Sequence, residues 1–434
     1  MQYALLVTVT ALLFIRPSEI VPDVEGEPIY QAAILACLAC SFPRVLVQFS
    51  AGRLRQSPVT ALVLCLWLSA VVSQIVQQYL SEARSIGVEF GKVVLYFLLL
   101  VGVVDSYARL RRFVMCLAGL IAVATLLAVL QYHGYLDLPG LRTHVEHSID
   151  ADSGEDRAIA RLCGSGIFND PNDLAMALTV CIVFSLYAVR SVCGSLRYLW
   201  ILPVALCSYA LILTQSRGGL MALLVSVLVL AGSRYGARRV LLAGVLGAVP
   251  LLILDARQLD FDLSNPKGTG QGRIQLWAEG LNLFRESPLF GIGAGNYQEQ
   301  VGLVAHNSFV HAFTELGIIG GSLFLATFVY TIGTLHRLRV CNPRLISSES
   351  DFLRVCLLAA AAGTAVALLS LSRVYTYPAY VVLALATVYF RVSGEHVSTF
   401  ILPLSGRFWT RVVLWTGGFL VTAHLFVMLA VRWH

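Results

Sequence analysis

The sequence predicts an all-α fold: a polytopic transmembrane helix bundle of about twelve or thirteen spans, forming a single membrane domain over 1–434. Three observations predict it. Of the 434 residues, 57% are hydrophobic and 13% charged, at a mean hydropathy of +0.76; soluble domains carry about a quarter charged residues. A soluble core also stops growing near roughly 250–300 residues, so a longer chain with half the usual charge needs another apolar solvent. Apolar runs of about 18–20 residues recur along the whole length, too often to be the core helices of a soluble protein.

In chain order the candidate spans fall near 1–15, 29–43, 58–78, 88–104, 113–131, 171–189, 198–214, 218–232, 239–255, 309–334, 354–371, 376–390 and 411–431. The second and twelfth are short. Met1–Ile15 lacks the basic n-region and small-residue cleavage site of a secretory signal, so it reads as a retained first span. Of the ten cysteines, Cys37 and Cys40 have C-x-x-C spacing but lie inside an apolar run, where they read as small packing residues. No internal repeat and no pair of matched, broken short helices of the inverted-repeat transporter type is evident.

The net charge of +6 is almost wholly arginine, with Lys92 and Lys267 the only lysines. The arginines are scattered into short loops rather than gathered on one element among aromatics, which argues against a nucleic-acid partner. Taken alternately, one set of loops carries Arg44, Arg53 and Arg55; Arg109, Arg111 and Arg112; Arg190 and Arg197; Arg234, Arg238 and Arg239; Arg337, Arg339, Arg344 and Arg354; and Arg391, Arg407 and Arg411. The other set opens with Glu19, Asp23, Glu25 and Glu27 and holds the longest loops. The positive-inside rule makes the first set cytoplasmic. The N-terminus is then inside, and an odd span count puts the C-terminus outside. The outer face receives a loop at 132–170, a tight turn at 215–218, a long loop at 256–308 and a turn at 372–376. Long loops gathered on one face are where binding and chemistry concentrate. Only Cys163 among the cysteines falls there, so no disulfide is expected.

Three outer segments carry candidate chemistry. Thr214-Gln215-Ser216-Arg217-Gly218-Gly219 sets an arginine among small residues at a membrane boundary, where its planar fork suits a phosphate and snorkelling to headgroups is the plain alternative. Gly272-Arg273-Ile274-Gln275-Leu276-Trp277 opens a stretch with Ile274, Trp277, Leu281 and Phe284 on one helical face and Arg273, Gln275, Glu279, Asn282 and Glu286 polar. That is an amphipathic helix suited to the outer interface. Pro288 ends it, and the G-x-G-x-G spacing from Gly291 to Gly295 lacks a βαβ setting, so it reads as a flexible turn rather than a dinucleotide site. The third segment, Ala305-His306-Asn307-Ser308-Phe309-Val310-His311 through Glu315-Leu316-Gly317, opens a span. His306 is its candidate general base. His311 and Glu315 stand four residues apart and either pair or bind a metal, for which a third ligand is not apparent.

Other residues read more plainly. Phe168-Asn169-Asp170-Pro171-Asn172-Asp173 is a turn with Asp170 or Asn172 as helix cap. His133, His144 and His147, with Asp137, Glu146, Asp150 and Asp152, form a solvated polar loop. Arg373, with Tyr375 and Tyr377, offers either a phosphate or sugar contact or interfacial anchoring.

Together, S-R-G-G, then G-R-x-x-x-W followed by S-P-L-F-G-x-G-x-G-N-Y, then H-N-S-F-V-x-x-x-x-E-L-G resemble the O-antigen ligase and polymerase superfamily, most strongly over 210–320. The resemblance implies a glycosyltransferase of the bacterial inner membrane with its catalytic face periplasmic. Such an enzyme moves a glycan from an undecaprenyl-diphosphate donor to an acceptor hydroxyl on a lipid A core, a growing glycan or a protein. By motif, His306 is the base, and Arg217 and Arg273 hold the diphosphate; Asn307, Glu315 and Arg373 complete the expected substrate contacts. The resemblance implies no metal or other cofactor. The ligase type is favoured narrowly over O-antigen or exopolysaccharide polymerase and protein O-oligosaccharyltransferase, while 132–170 matches no subgroup. A transporter or flippase for a lipid-linked sugar is the non-enzyme alternative, and it predicts ionisable residues buried within spans.

Overall fold

The computed structural model describes residues 1–20, 27–138, 144–149, 156–236, 269–341, 348–393 and 404–432. The helices are α1 (Gln2–Ile15), α2 (Ile29–Gln48), α3 (Pro58–Val76), α4 (Leu80–Val103), α5 (Tyr107–Tyr132), α6 (Pro171–Ser191), α7 (Ile201–Leu213), α8 (Arg217–Tyr235), α9 (Thr269–Glu286), α10 (Ser308–Cys341), α11 (Ser348–Ala367), α12 (Tyr377–Val392) and α13 (Gly406–Ala430). The chain is all-α and polytopic: nine described helices are long and apolar enough to cross a membrane, and α1, α8 and α12 are shorter apolar helices. Twelve of the thirteen sequence-read spans fall on these helices. The ninth, 239–255, lies outside the described residues, as do 256–268 of the long loop with Lys267, the arginines Arg238, Arg239 and Arg344, and Asp150 and Asp152.

Local chemistry sets the helix starts. Proline occupies the first turn of α3, α6 and α12, where its missing N–H costs nothing. Ser106 caps α5, Asp170 caps α6 and Ser216 caps α8, each side chain accepting an otherwise unpaired backbone N–H. α6 lies at the centre, with 78% of its most apolar window buried, against 17% for α13 at the rim. Rim residues are exposed yet apolar (Leu202, Ile212, Val413 and Leu429 among them), as a lipid-facing surface requires. α8 and α11 approach closely because Gly363 leaves room for the Ser226 hydroxyl, which donates to the Ala359 carbonyl at 3.0 Å.

The arginine-rich loops also meet in space. Arg44 and Arg109 share Asp105 at 2.9 and 2.7 Å. Arg111 pairs with Glu349 at 3.0 Å and donates to the Ser191 carbonyl at 2.7 Å, and Arg391 donates to the Val104 carbonyl. The sorting by arginine content therefore matches the sorting of the bundle into two ends.

Two expectations need correction. The 132–170 loop is not wholly irregular: His144–Ile149 (β1) and Asp156–Arg161 (β2) pair as a two-stranded antiparallel sheet, with His144 opposite Arg161. Alternation was too weak there for hydropathy to reveal it. And α4 starts at Leu80 rather than 88, so the Lys92–Glu89 ion pair (2.6 Å) lies about 13 Å inside the helix rather than near its end. Helical propensity carries α4 past the polar residues at which hydropathy stops.

Candidate active site

At the end opposite the arginine cluster, α10 is built around a break. Gly317 adopts φ 63°, ψ −165° within it. The helical bonds lost there are replaced by the preceding glycine turn. Ile292 and Gly293 donate N–H groups to the Thr314 and Glu315 carbonyls, each at 3.0 Å, while Ile318 and Ile319 donate to the Pro288 and Leu289 carbonyls at 2.8 and 3.4 Å. The approach needs glycine on both sides. A Cβ on Gly291 would lie 2.3 Å from the Glu315 carbonyl carbon, and one on Gly317 would lie 2.4 Å from the Leu289 backbone. The segment read as a flexible turn is thus a backbone lock. α3 holds its other side: Gln77 donates to the Gly291 carbonyl at 2.6 Å, Gln74 donates to the Ala294 carbonyl at 2.6 Å, and Ser73 Oγ accepts from Ala294 N–H at 3.1 Å.

The lock fixes His306. Trp277 Nε1 donates to the Ala305 carbonyl at 2.7 Å, and Asn307 Oδ1 accepts the N–H groups of Phe309 and Val310 at 3.0 and 3.3 Å, capping α10. Between these anchors His306 takes φ 48°, a conformation rare for a residue with a side chain. Arg273 and Trp277 stand one turn apart on α9, so the G-R-x-x-x-W spacing ties an arginine to the histidine's backbone. The apolar face of α9 packs on the bundle, with Ile274 and Leu281 both 3% exposed and Phe284 edge-on to Phe313.

The connection after α11 gathers the remaining residues. Ser308 N–H donates to the Leu368 carbonyl at 2.8 Å, Ser308 Oγ donates to the Leu371 carbonyl at 2.6 Å, and that oxygen accepts from Arg373 N–H at 2.9 Å. Ser370 from the same connection fills the space beside Gly218, where a Cβ would sit 1.9 Å from its hydroxyl. Ser216 Oγ donates to Asn172 Oδ1 at 2.7 Å. The S-R-G-G turn and His306 therefore rest on one short connection.

Burial, then the nearby Arg273 charge, hold the His306 imidazole below the ordinary histidine value; Arg373 adds to this and Asp170 opposes it. Arg273, Arg373 and Asp170 are thus the charges that act on one half-buried imidazole, and burial with the two arginines favours its neutral form. Arg217 is brought in through Gly218 and Ser370, and its side chain and that of Arg273 are both partly exposed. Glu315 is fully buried: its carboxylate accepts from Tyr297 N–H at 3.1 Å and Tyr375 O–H at 2.8 Å, and His311 Nε2 lies 2.8 Å away. The carboxylate thus faces protein groups, and His311 and Glu315 pair within the bundle. Among the described residues no group of three or more His, Cys, Asp or Glu could hold a metal ion. His133 pairs with the Tyr209 hydroxyl at 2.9 Å on the neighbouring α7.

Asp170 caps α6 as expected, while Asp173 was read only as part of that turn. It is 3% exposed and grips Arg373 at 2.7 Å. Arg161 was passed over; it donates to the Thr214 carbonyl at 2.9 Å and to Asn172 Oδ1 at 3.3 Å. A turn rich in Asp and Asn gives no sign of a partner two hundred residues away. Gln74 and Gln77 near the end of an apolar span were the legible hint of buried polar contacts.

Residues 202–325 match the family model described as O-antigen ligase. The match bears out the resemblance to the O-antigen ligase and polymerase superfamily, encloses 210–320, and supports a ligase or polymerase type of enzyme acting on lipid-linked glycan and acceptor substrates in general. No curated protein matches the chain.

Proposed function

We propose that the protein is a glycosyltransferase of the O-antigen ligase type, with His306 as base and Arg217 and Arg273 as the diphosphate clamp. It would act at the periplasmic face of a bacterial inner membrane on an undecaprenyl-diphosphate-linked glycan. The observation that carries this reading is the half-buried His306, with Arg273 and Arg373 acting on its imidazole, at the connection on which the S-R-G-G turn also rests. His306 takes the proton of the acceptor hydroxyl as that oxygen bonds to the anomeric carbon. The bond from that carbon to the diphosphate oxygen breaks, and the departing charge is met by the guanidinium groups. A diphosphate is already a good leaving group, so positioning and charge do most of the work, and the transferred linkage inverts. Asn307 and Glu315 serve by holding His306 and the α10 break in place, and Arg373 adds a contact to the anion.

The test is purified protein with undecaprenyl-diphosphate-linked glycan and, separately, lipid A core, glycan or protein acceptors. A single shift of core lipid supports the ligase type; laddered lipid-linked products support a polymerase. Full transfer by His306→Ala overturns the base assignment, and retention at the new linkage by NMR overturns the in-line displacement.

A further inference from the structure

We propose that Asp173 is a positioning residue of this site: it orients the Arg373 guanidinium and offsets its charge, so that Arg373 offers an anion-binding edge beside His306 without acting on it as a bare cation. The inference rests on the glycosyl-transfer reading.

The geometry is side-on. Asp173, in the first turn of α6, accepts from Arg373 Nε at 2.9 and 2.7 Å and from Nη2 at 2.7 Å. Nη1 has only a 3.5 Å contact to the neighbouring Ser372 carbonyl. About a third of the Arg373 side chain is exposed, while Asp173 is buried. The fork is thus gripped along one edge with its far nitrogen uncommitted, the arrangement that suits a second oxyanion. Anchoring the connection is a poorer account of the pair. Ser308 already ties that connection at the Leu368 and Leu371 carbonyls and at Arg373 N–H, and a buried ion pair adds little net stability.

Charge supplies the second argument. The charged groups around His306 are Arg273 from α9, Asp170 from the turn before α6, and Arg373 from the connection after α11. Arg373 carries a buried carboxylate partner in Asp173. Loss of the Asp173 charge leaves Arg373 with only the more distant influence of Asp170 against its charge and drives the His306 midpoint down. Loss of the Arg373 charge drives it up.

The experiment is a histidine-labelled NMR titration of the full-length protein in nanodiscs, the His306 signal being the one lost in His306→Gln. Expected midpoints rise in the order Asp173→Asn, wild type, Arg373→Gln, with Asp173→Glu near wild type. In parallel, Arg373→Lys keeps the charge but not the fork, so donor KM rises severalfold at a wild-type midpoint. Shifts in the same direction, or none, make the pair a mere staple and overturn the proposal. If Asp173→Asn does not fold, an unmoved midpoint in Arg373→Gln overturns it equally. Transfer activity with the wrong order of midpoints sinks this role alone. The expected order without transfer to any acceptor supports Asp173's hold on Arg373 and overturns the reaction assignment.

Discussion

At the arginine-rich end, helices are joined by ordinary ion pairs. Asp105 sits between Arg44 and Arg109, and Glu349 meets Arg111, all with a third or so of each side chain exposed. At the opposite end backbone joints predominate, a broken helix completed by a glycine turn and helix caps that reach neighbouring elements, and the ion pair beside them, Asp173–Arg373, has its carboxylate buried. Among the described residues, the side-chain-bearing positions with positive φ are Arg16, Gln78, Gln215 and His306, and all four lie at this second end. Each such conformation costs about 1 kcal/mol or more, and it persists only where its surroundings over-determine it. One end is built to be tolerant and the other to hold a geometry.

That contrast is broken most sharply at His306. His306→Gln should lower kcat by about 10²–10⁴-fold, the usual worth of a general base, while thermal unfolding stays near wild type. A variant that also unfolds would make the strained backbone, not the imidazole, the important feature. Next in size is Gly317→Ala. Its Cβ would strike the Leu289 backbone at 2.4 Å in a φ that disfavours side chains, so stability should fall by about 3 kcal/mol and activity with it. Wild-type melting in Gly317→Ala would remove the lock from the argument.

Smaller effects separate charge from shape. Arg217→Lys and Arg273→Lys keep a cation but lose the bidentate fork, so donor KM should rise about 10–100-fold with modest change in kcat. Unchanged KM in both would move the diphosphate elsewhere. The pH dependence follows from His306. Its value is lowered in the fold, so the neutral base survives acidification until pH falls below the ordinary histidine value of 6.5. A plot of kcat/KM against pH should therefore fall on the acid side with a midpoint under that value, and a midpoint above it would contradict the arrangement of Arg273 and Arg373.

Much of this was legible in the chain. Spans, their two-sided sorting and the three motifs come from hydropathy, arginine placement and spacing, all local or periodic signals. Arg217 and Arg273 stood out because each sits beside glycine near the start of a helical run, and His306 because it stands just before a span. What escaped was pairing at long range. Nothing near Asp173 announces Arg373, and nothing near Gly291 says that Gly317 will break a helix against it. The glycine run looked flexible because glycine permits many conformations; here it is used for close approach, which only the partner strand of backbone reveals. Glu315 shares a motif with His306, which suggested a substrate contact, but its buried carboxylate faces Tyr297, Tyr375 and His311.

The smallest effect is expected at the other end, and it tests the comparison most directly. Asp105→Asn removes the carboxylate shared by Arg44 and Arg109, yet these side chains are each more than a third exposed or close to it. Water and salt screen such pairs, so the loss should be at most about 1 kcal/mol and should shrink further at high ionic strength. Burial works against the Asp105 charge, but Arg44 and Arg109 outweigh it and hold its value below the ordinary one. The sign follows: this contribution is present above the unfolded carboxylate pKa and is lost as pH falls through the lowered folded one. Transfer activity at neutral pH should be unaffected, because the bond joins loops far from His306. A large activity loss in Asp105→Asn, with the protein still folded, would mean that the two ends are coupled through the bundle and that the tolerant end is part of the machinery.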